Sequence, residues 1–136
     1  RLLPMLRAGG RGAVLNVSSI AGLLPLPHMA VYAATKAYVN SFSDALRMEL
    51  RDTGVTVTAV LPGPAETEFG TVAARGTGEP EWHSPEAFTV PVSEVVRAAL
   101  TAVARDRARV IPGWHVALVM GLAVALPLGV LRCILQ

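Results

Sequence analysis

Tyr32-Ala33-Ala34-Thr35-Lys36 is the stretch around which the rest of this chain is arranged. A tyrosine and a lysine four residues apart lie on the same side of a helix. A neighbouring ammonium favours the phenolate form of a phenol, so a proton can leave and return near neutral pH, as general acid–base catalysis requires. Lys36 is the single lysine of the sequence, and every other basic residue is an arginine. A compact ammonium fits a tight space that a planar guanidinium fills less freely.

A strand–helix–strand pattern surrounds this stretch. Residues 13–17 form a short, nearly continuous apolar run, which predicts a buried parallel strand. A helix is predicted over residues 31–52, closed by Gly54, and the β-branched residues 55–61 predict the next strand. A long helix between two strands indicates a parallel crossover unit. Ligands bind at the carboxyl ends of strands in such sheets, and Ser19 follows the end of the first strand.

Three motifs follow one another in a fixed order along the chain. They are Asn16-Val17-Ser18-Ser19, Tyr32-Ala33-Ala34-Thr35-Lys36 and Pro62-Gly63-Pro64-Ala65-Glu66-Thr67. Their combination and order resemble the short-chain dehydrogenase/reductase family, and the chain looks like the carboxyl-terminal half of a member. The resemblance implies an α/β fold. It would contain the last three strands of a Rossmann-like, doubly wound parallel sheet with their helices, followed by an apolar carboxyl-terminal helix.

The resemblance also implies an activity: an NAD(P)-dependent oxidoreductase that transfers a hydride between a nicotinamide and a carbonyl/alcohol substrate. Tyr32 would act as the general acid or base, and Ser19 would hold the substrate oxygen by a hydrogen bond. Lys36 would assist Tyr32, and both would contact the cofactor at the nicotinamide ribose. Asn16 is expected to be structural, and Ser18 is expected to point to the other face of the strand end.

Further contacts are expected from the turn after the second strand and from the loop before the helix. By resemblance, Thr67 would contact the nicotinamide carboxamide, while Pro62 and Gly63 would let the backbone approach the ring. His28 is a candidate for the substrate pocket because it lies near Tyr32 in the loop before the helix, but a plain surface loop is the favoured alternative. NADP is slightly favoured over NAD as the cofactor, and the substrate is expected to be a small carbonyl or alcohol molecule.

Two regions are expected along the chain. Residues 1–112 would form the Rossmann-type half-domain, and residues 113–136 would form an apolar segment. Within the first region, residues 1–8 predict a helix and residues 64–90 predict a functional loop at the substrate. Residues 93–105 predict a helix capped by Ser93, followed by a short strand over residues 109–112. The residues of that helix expected to face inward are Val95, Val96, Ala99, Leu100 and Val103.

Residues 110–131 contain no Asp, Glu, Lys or Arg. That length approaches what a membrane span requires, but Pro127 and three glycines weaken the case for a span. Two interpretations stay open. The first is a buried carboxyl-terminal helix, and the second is a helix that brings residues 113–135 into contact with a membrane.

The remaining expectations concern partners. A stripe of mostly small residues on the long helix predicts a close helix neighbour, either internal or from a second copy; it comprises Ala34, Tyr38, Ser41, Ala45 and Met48. A homodimer through residues 31–52 is expected from the family resemblance. The net charge of +2 gives little support to nucleic-acid binding, and the histidines lack partners at metal-ligand spacing, so no metal is expected. One cysteine, Cys133, fits a reducing compartment, and a cytoplasmic location with membrane association as an addition is expected.

One feature of the family is missing from the sequence. No Gly-x-x-x-Gly-x-Gly or Gly-x-Gly-x-x-Gly turn is present to bind a pyrophosphate. The chain also starts with Arg1 in a helix-like stretch, which predicts a fragment. The alternative function is therefore a truncated, non-catalytic piece that acts through dimerisation or membrane attachment.

Overall fold

The computed structural model describes residues 2–65 and 88–134. Three parallel strands form its sheet, in the order β1 (Gly12–Val17), β2 (Val55–Val60) and β3 (Arg109–Val110). Val14 pairs with Val57 between the first two strands, and Val60 pairs with Val110 between the last two. This parallel α/β sheet agrees with the fold class predicted from the sequence.

The helices follow the strands in the predicted order. They are α1 (Leu2–Ala8), α2 (Ala30–Glu49), α3 (Val92–Ala104), α4 (Trp114–Ala125) and α5 (Leu128–Ile134), together with a 3-10 helix over Ile20–Leu23. The helix α2 ends three residues before the predicted boundary at residue 52. Gly54 then makes the turn into β2 with φ of 71°, and a Cβ there would lie 2.3 Å from the carbonyl oxygen of Gly10.

The main core lies between α2 and the sheet. Leu46 and Leu50 of α2 pack against Val55 and Val57 of β2, and all four side chains are buried. Each such aliphatic side chain contributes roughly 1.5–3 kcal/mol when it leaves water. This burial fixes the face of α2 that points toward the sheet, and therefore the direction of its amino-terminal residues.

The prediction of a fully buried first strand is wrong. The residues of β1 alternate in exposure, and Leu15 and Val17 are 37% and 62% exposed. Val14 packs on the α2 core, and Asn16 Nδ2 donates to Ser43 Oγ of α2 at 2.9 Å. β1 is the edge strand of the described sheet and is covered on one face, which an apolar run alone does not reveal.

The prediction for α3 is also corrected. Pro91 is the N-cap residue and Ser93 lies inside the first turn, so Ser93 does not cap the helix. Ala99 and Ala102 are the buried residues of α3, whereas Val96 and Leu100 are 51% and 60% exposed. Val96 and Leu100 were therefore wrongly expected to point inward, whereas Ala99 is buried as predicted and Val95 packs against the buried cluster around Val116.

The carboxyl-terminal segment forms two helices that are separated at Leu126 and Pro127. Val116, Met120 and Leu131 are buried, but Leu118, Leu122 and Leu128 are each more than half exposed. The expectation of one buried helix is therefore wrong: the segment contacts the core at a few residues and leaves most of its apolar surface in solvent. No helix in the described part of the chain is both long enough and apolar enough to cross a membrane.

Candidate active site

The candidate site lies where β1 and β2 end. The amide of Ser18 donates to the carbonyl of Val60 at 2.8 Å, and the amide of Ile20 donates to the carbonyl of Pro62 at 3.0 Å. These two bonds continue the parallel pairing beyond the last strand residues. They therefore place Ser19 beside Pro62 at the carboxyl edge of the sheet, where ligands bind in open α/β folds.

Ser19 is held at the start of the 3-10 helix. Its backbone is extended, with φ of −164° and ψ of 156°, and its Oγ accepts a hydrogen bond from the Ala21 amide at 3.1 Å. The same hydroxyl donates to the Pro62 carbonyl at 3.4 Å. That bond is long for a hydroxyl donor, so the hydroxyl can turn its proton toward a ligand oxygen at little cost.

Ser18 has a different partner. Its side chain is 3% exposed, and its Oγ donates to the carbonyl of Lys36 in α2 at 3.0 Å. Successive side chains of an extended segment point to opposite sides. Ser18 thus connects the end of β1 to α2, whereas the Ser19 hydroxyl points toward the Pro62 carbonyl that follows β2.

Lys36 and Tyr32 lie on one side of α2 and meet the end of β1. The Lys36 ammonium donates to the Val17 carbonyl at 3.2 Å and lies 5.7 Å from the centre of the Tyr32 ring. At that distance a cation is attracted by the face of an aromatic ring. An ammonium has three N–H donors. The structure thus places Lys36 beside Tyr32 and at the end of β1, two residues before Ser19.

Gly22 contributes to the site in a way that the sequence analysis missed, because residues 20–29 were predicted to be plain loop. A Cβ on Gly22 would lie 2.5 Å from the backbone carbon of Lys36 and 2.6 Å from the amide nitrogen of Ala37. The 3-10 helix therefore packs directly on the backbone of the residue that carries the ammonium. A glycine within an apolar stretch was the available signal.

For the other predicted site residues the structure shows fewer contacts, and one of them lies outside the described residues. Gly63 lies close to Phe88 and Val116, since a Cβ there would lie 3.1 Å from the Phe88 carbonyl oxygen. His28 is exposed and has φ of 61°, in the turn before α2. Thr67, with Glu66 and most of the predicted substrate loop, lies outside the described residues.

Residues 1–76, more than half of the chain, match the short chain dehydrogenase family. The match includes all three of the motifs described above. This chain belongs to the short chain dehydrogenase family.

Individual members of that family show the same relationship. A sulfoacetaldehyde reductase of Chromohalobacter salexigens is 53% identical over 76 residues, which are 55% of this chain and 30% of that protein. A short chain dehydrogenase from Burkholderia cenocepacia, solved in complex with NADP, is 31% identical with a TM-score of 0.75. The likeness covers 98% of this chain and 52% of that one.

A second solved short chain dehydrogenase, from Sphingobium yanoikuyae and in complex with NADPH, is 33% identical with a TM-score of 0.69. It matches 91% of this chain and 49% of its own length. The chain therefore spans about half the length of these two solved relatives, and its fold is that of the corresponding half.

Proposed function

We propose that this short chain dehydrogenase sequence carries the catalytic residues of an NAD(P)-dependent oxidoreductase. The reaction transfers a hydride between a nicotinamide and a small carbonyl or alcohol substrate. The observation that supports this most is the position of the Lys36 ammonium. It is anchored to the Val17 carbonyl at the carboxyl end of β1 and lies 5.7 Å from the Tyr32 ring.

The proposed roles follow from the donors available at the site. In the reducing direction a nicotinamide supplies the hydride to the carbonyl carbon. Tyr32 gives its phenolic proton to the carbonyl oxygen, and in the oxidising direction it takes that proton back. Ser19 donates a hydrogen bond to the same oxygen by releasing its long bond to Pro62. His28 is proposed to lie beside the substrate.

NADP is the cofactor that we favour, with NAD as the alternative. The residues present suit the nicotinamide end of a dinucleotide: Lys36 would donate to the ribose hydroxyls, and Tyr32 would lie next to it. Pro62 and Gly63 would pass close to the ring, where Gly63 presents no side chain, and Thr67 would contact the carboxamide. The NADP and NADPH in the two solved relatives support this preference.

A chimera tests the proposal. The part of the Burkholderia cenocepacia protein outside the match would be joined to this chain, so that Ser19, Tyr32 and Lys36 all come from this sequence. Reduction of a panel of small aldehydes and ketones would be followed by NADPH oxidation. Tyr32→Phe, which removes the transferable proton, is expected to lower turnover by at least about a hundredfold.

In the same chimera, Lys36→Arg tests whether turnover depends on the positive charge of Lys36 alone or also on the compact shape of its side chain. Arginine keeps a positive charge near Tyr32, but its broader guanidinium does not fit the space between the phenol and a ribose. The expected loss of turnover is again about a hundredfold or more. The matched control is Arg51→Lys at an exposed position. A Lys36→Arg chimera within about threefold of the parent would show that the side chain acts only as a charge.

We also propose that two copies associate through residues 31–52. Tyr38 and Met48 are 68% and 72% exposed on α2, and Tyr38 stacks on Phe42 with ring centres 5.9 Å apart. Exposed aromatic and apolar residues in one stripe favour a protein contact. Sedimentation of the parent and of Tyr38→Glu would test this, and an unchanged monomer in both would refute it.

Residues 113–135 are proposed to contact lipid. Outside the buried face formed by Val116 and Met120, most of the surface of α4 is apolar and exposed, and α5 also exposes Leu128, Val130 and Ile134. The helices would lie in the interface plane and not across the bilayer. The chain and a version ending at Pro112 would be sedimented with vesicles. Equal amounts of both in the supernatant, with both folded, would refute the contact.

A further inference from the structure

A cleft of about 700 Å³ lies on the flank of α2 away from the candidate active site. Residues 22–27 form one wall, Ala30, Ala33, Ala34 and Ala37 form the second, and Arg132 of α5 closes one side. This set of residues is called the alanine cleft below. With 100° per residue, the four alanines centre about 130° around the helix from Tyr32 and Lys36. The alanine cleft is therefore separate from the catalytic groups.

The walls of the alanine cleft suit a flexible hydrocarbon chain. Ten of its eleven lining residues are glycine, alanine, leucine or proline. Ala30, Ala34 and Ala37 are exposed and Ala33 is buried beneath them, and all four carry only a methyl group, so a chain can lie close to the helix. Leu23 and Leu24 also pack against the buried cluster around Val116, which holds their side of the cleft in place. The volume falls within the range of small-molecule sites, about 300–1,000 Å³.

Arg132 gives the alanine cleft a polar end. Among the lining residues that the structure describes, it is the one with a charged side chain. Arg132 is exposed and, like Arg11 and Arg97, makes no hydrogen bond or ion pair among the described residues, so its guanidinium is open to a ligand. A guanidinium binds a carboxylate through two parallel N–H donors, with fixed geometry. An apolar groove with one unpaired guanidinium at its side is complementary to a single chain that carries one acidic group.

We propose that the alanine cleft binds a free long-chain fatty acid. The carboxylate pairs with Arg132, and the hydrocarbon chain lies along Ala30, Ala33 and Ala37. One cation matches one carboxylate, whereas a neutral sterol or alcohol would leave the guanidinium without a partner. Because the cleft does not contain Ser19, Tyr32 or Lys36, this binding does not use the residues proposed for the oxidoreductase activity. Ala34 is shared with the helix stripe of the proposed dimer, so a fatty acid and a second copy would compete at that residue.

The test uses the 136-residue chain with laurate as the acid and dodecanol as the neutral ligand of equal length. Displacement of a fluorescent fatty acid would report saturable binding. Arg132→Gln is expected to weaken laurate binding about tenfold, the effect of losing one charge-assisted contact of about 1.4 kcal/mol. Dodecanol binding should change less than about twofold in that variant. Circular dichroism would confirm that the variants remain folded.

Three further variants test whether laurate binds in the alanine cleft and not elsewhere on the protein. Ala30→Phe fills the alanine cleft at an exposed position and should weaken both ligands. Arg11→Gln removes an exposed arginine elsewhere and should leave both unchanged. Leu122→Gln reduces the exposed apolar surface of α4 and should also leave laurate unchanged.

Two outcomes would overturn the proposal. The first is laurate binding that is absent or insensitive to both Arg132→Gln and Ala30→Phe. The second is Arg132-dependent binding to vesicles of anionic phospholipid with no binding of free laurate, which would assign the guanidinium to a lipid headgroup. Neither outcome bears on the NADPH-dependent activity of the chimera, so the two proposals fail separately.

Discussion

At the scale of single residues, Gly22 determines how closely the turn after β1 can approach α2. A Cβ there would meet backbone atoms of Lys36 and Ala37, and it would also lie 2.7 Å from the side-chain amide nitrogen of the buried Asn40. Backbone cannot yield without moving the whole helix turn, and with it the Lys36 ammonium. The glycine is therefore tied to the geometry of the candidate site.

Gly22→Ala is expected to destabilise the chain by about 1–3 kcal/mol, as overpacking of a closely packed contact does. The matched control is Gly121→Ala in α4, where a Cβ would meet nothing within 4 Å. That control should stabilise by about 0.5–1 kcal/mol, because alanine favours a helix over glycine. Urea unfolding of both variants would measure the difference. Equal stability of the two variants would contradict the packing of the 3-10 helix on α2.

Asn40 offers a second test at this scale. It is 3% exposed, and neither atom of its amide hydrogen-bonds to the described part of the protein. A buried amide without a partner costs about 1–3 kcal/mol, so Asn40→Leu should be neutral or stabilising. Asn16→Leu is the control: it removes the bond to Ser43 and should destabilise by about 1 kcal/mol or more. Thermal unfolding that shows a clear loss for Asn40→Leu would indicate a partner for this amide.

The sequence predicted part of the site at the residue scale. Ser19, Tyr32 and Lys36 could be found because their spacing and their positions after a strand and on a helix are local properties. Their roles stay predictions. The packing of Gly22 on Lys36 could not be found from spacing, and neither could the bond from Ser18 to the Lys36 carbonyl. Both depend on how closely α2 approaches the 3-10 helix.

At the scale of elements, Arg47 ties α2 to the sheet and to the end of α3. One Nη donates to the Val57 carbonyl at 2.9 Å and to the Asp106 carboxylate at 2.7 Å, while the other donates to the Asp106 carbonyl at 2.8 Å. Asp106 has φ of 50°, in the turn that leads into β3. One side chain thus fixes three elements relative to one another.

Arg47→Met is expected to destabilise the chain by about 1–3 kcal/mol, because the Val57 carbonyl of the central strand loses a partner. Methionine keeps an apolar stem of similar length. Arg51→Met is the control, since Arg51 and Asp52 are 3.8 Å apart and almost fully exposed. That surface pair should contribute little. Chemical unfolding at low and high salt would compare them, and similar losses in both variants would refute the structural role of Arg47.

Element order was predictable, but the surroundings of each element were not. The crossover from β1 through α2 to β2 follows from alternating apolar patterns and the length of the helix between them. The open face of β1, the exposed Leu100 of α3 and the exposed surface of α4 all depend on what packs against each element. The sequence pattern of an element is the same whether or not a neighbouring element covers it, so the predictions of burial for these residues were wrong.

At the scale of the whole molecule, the residues proposed to contact the cofactor all belong to its nicotinamide end. The candidate site holds residues suited to a nicotinamide and its ribose. Much of the affinity for a dinucleotide comes from backbone donors and a helix amino terminus around the pyrophosphate. The sequence has no glycine-rich turn of that kind. The chain spans about half of the solved relatives that bind NADP or NADPH.

The 136-residue chain alone is therefore expected to bind NADPH weakly, with a dissociation constant in the millimolar range. The chimera, which adds the part of the Burkholderia cenocepacia protein outside the match, should bind it in the micromolar range, a difference of about 4 kcal/mol in binding free energy. Calorimetric titration of both proteins would measure this difference. Lys36→Gln in the chimera checks that the residues of this chain contribute to binding. Micromolar binding by the chain alone would show that its nicotinamide-side residues hold the cofactor without a pyrophosphate site.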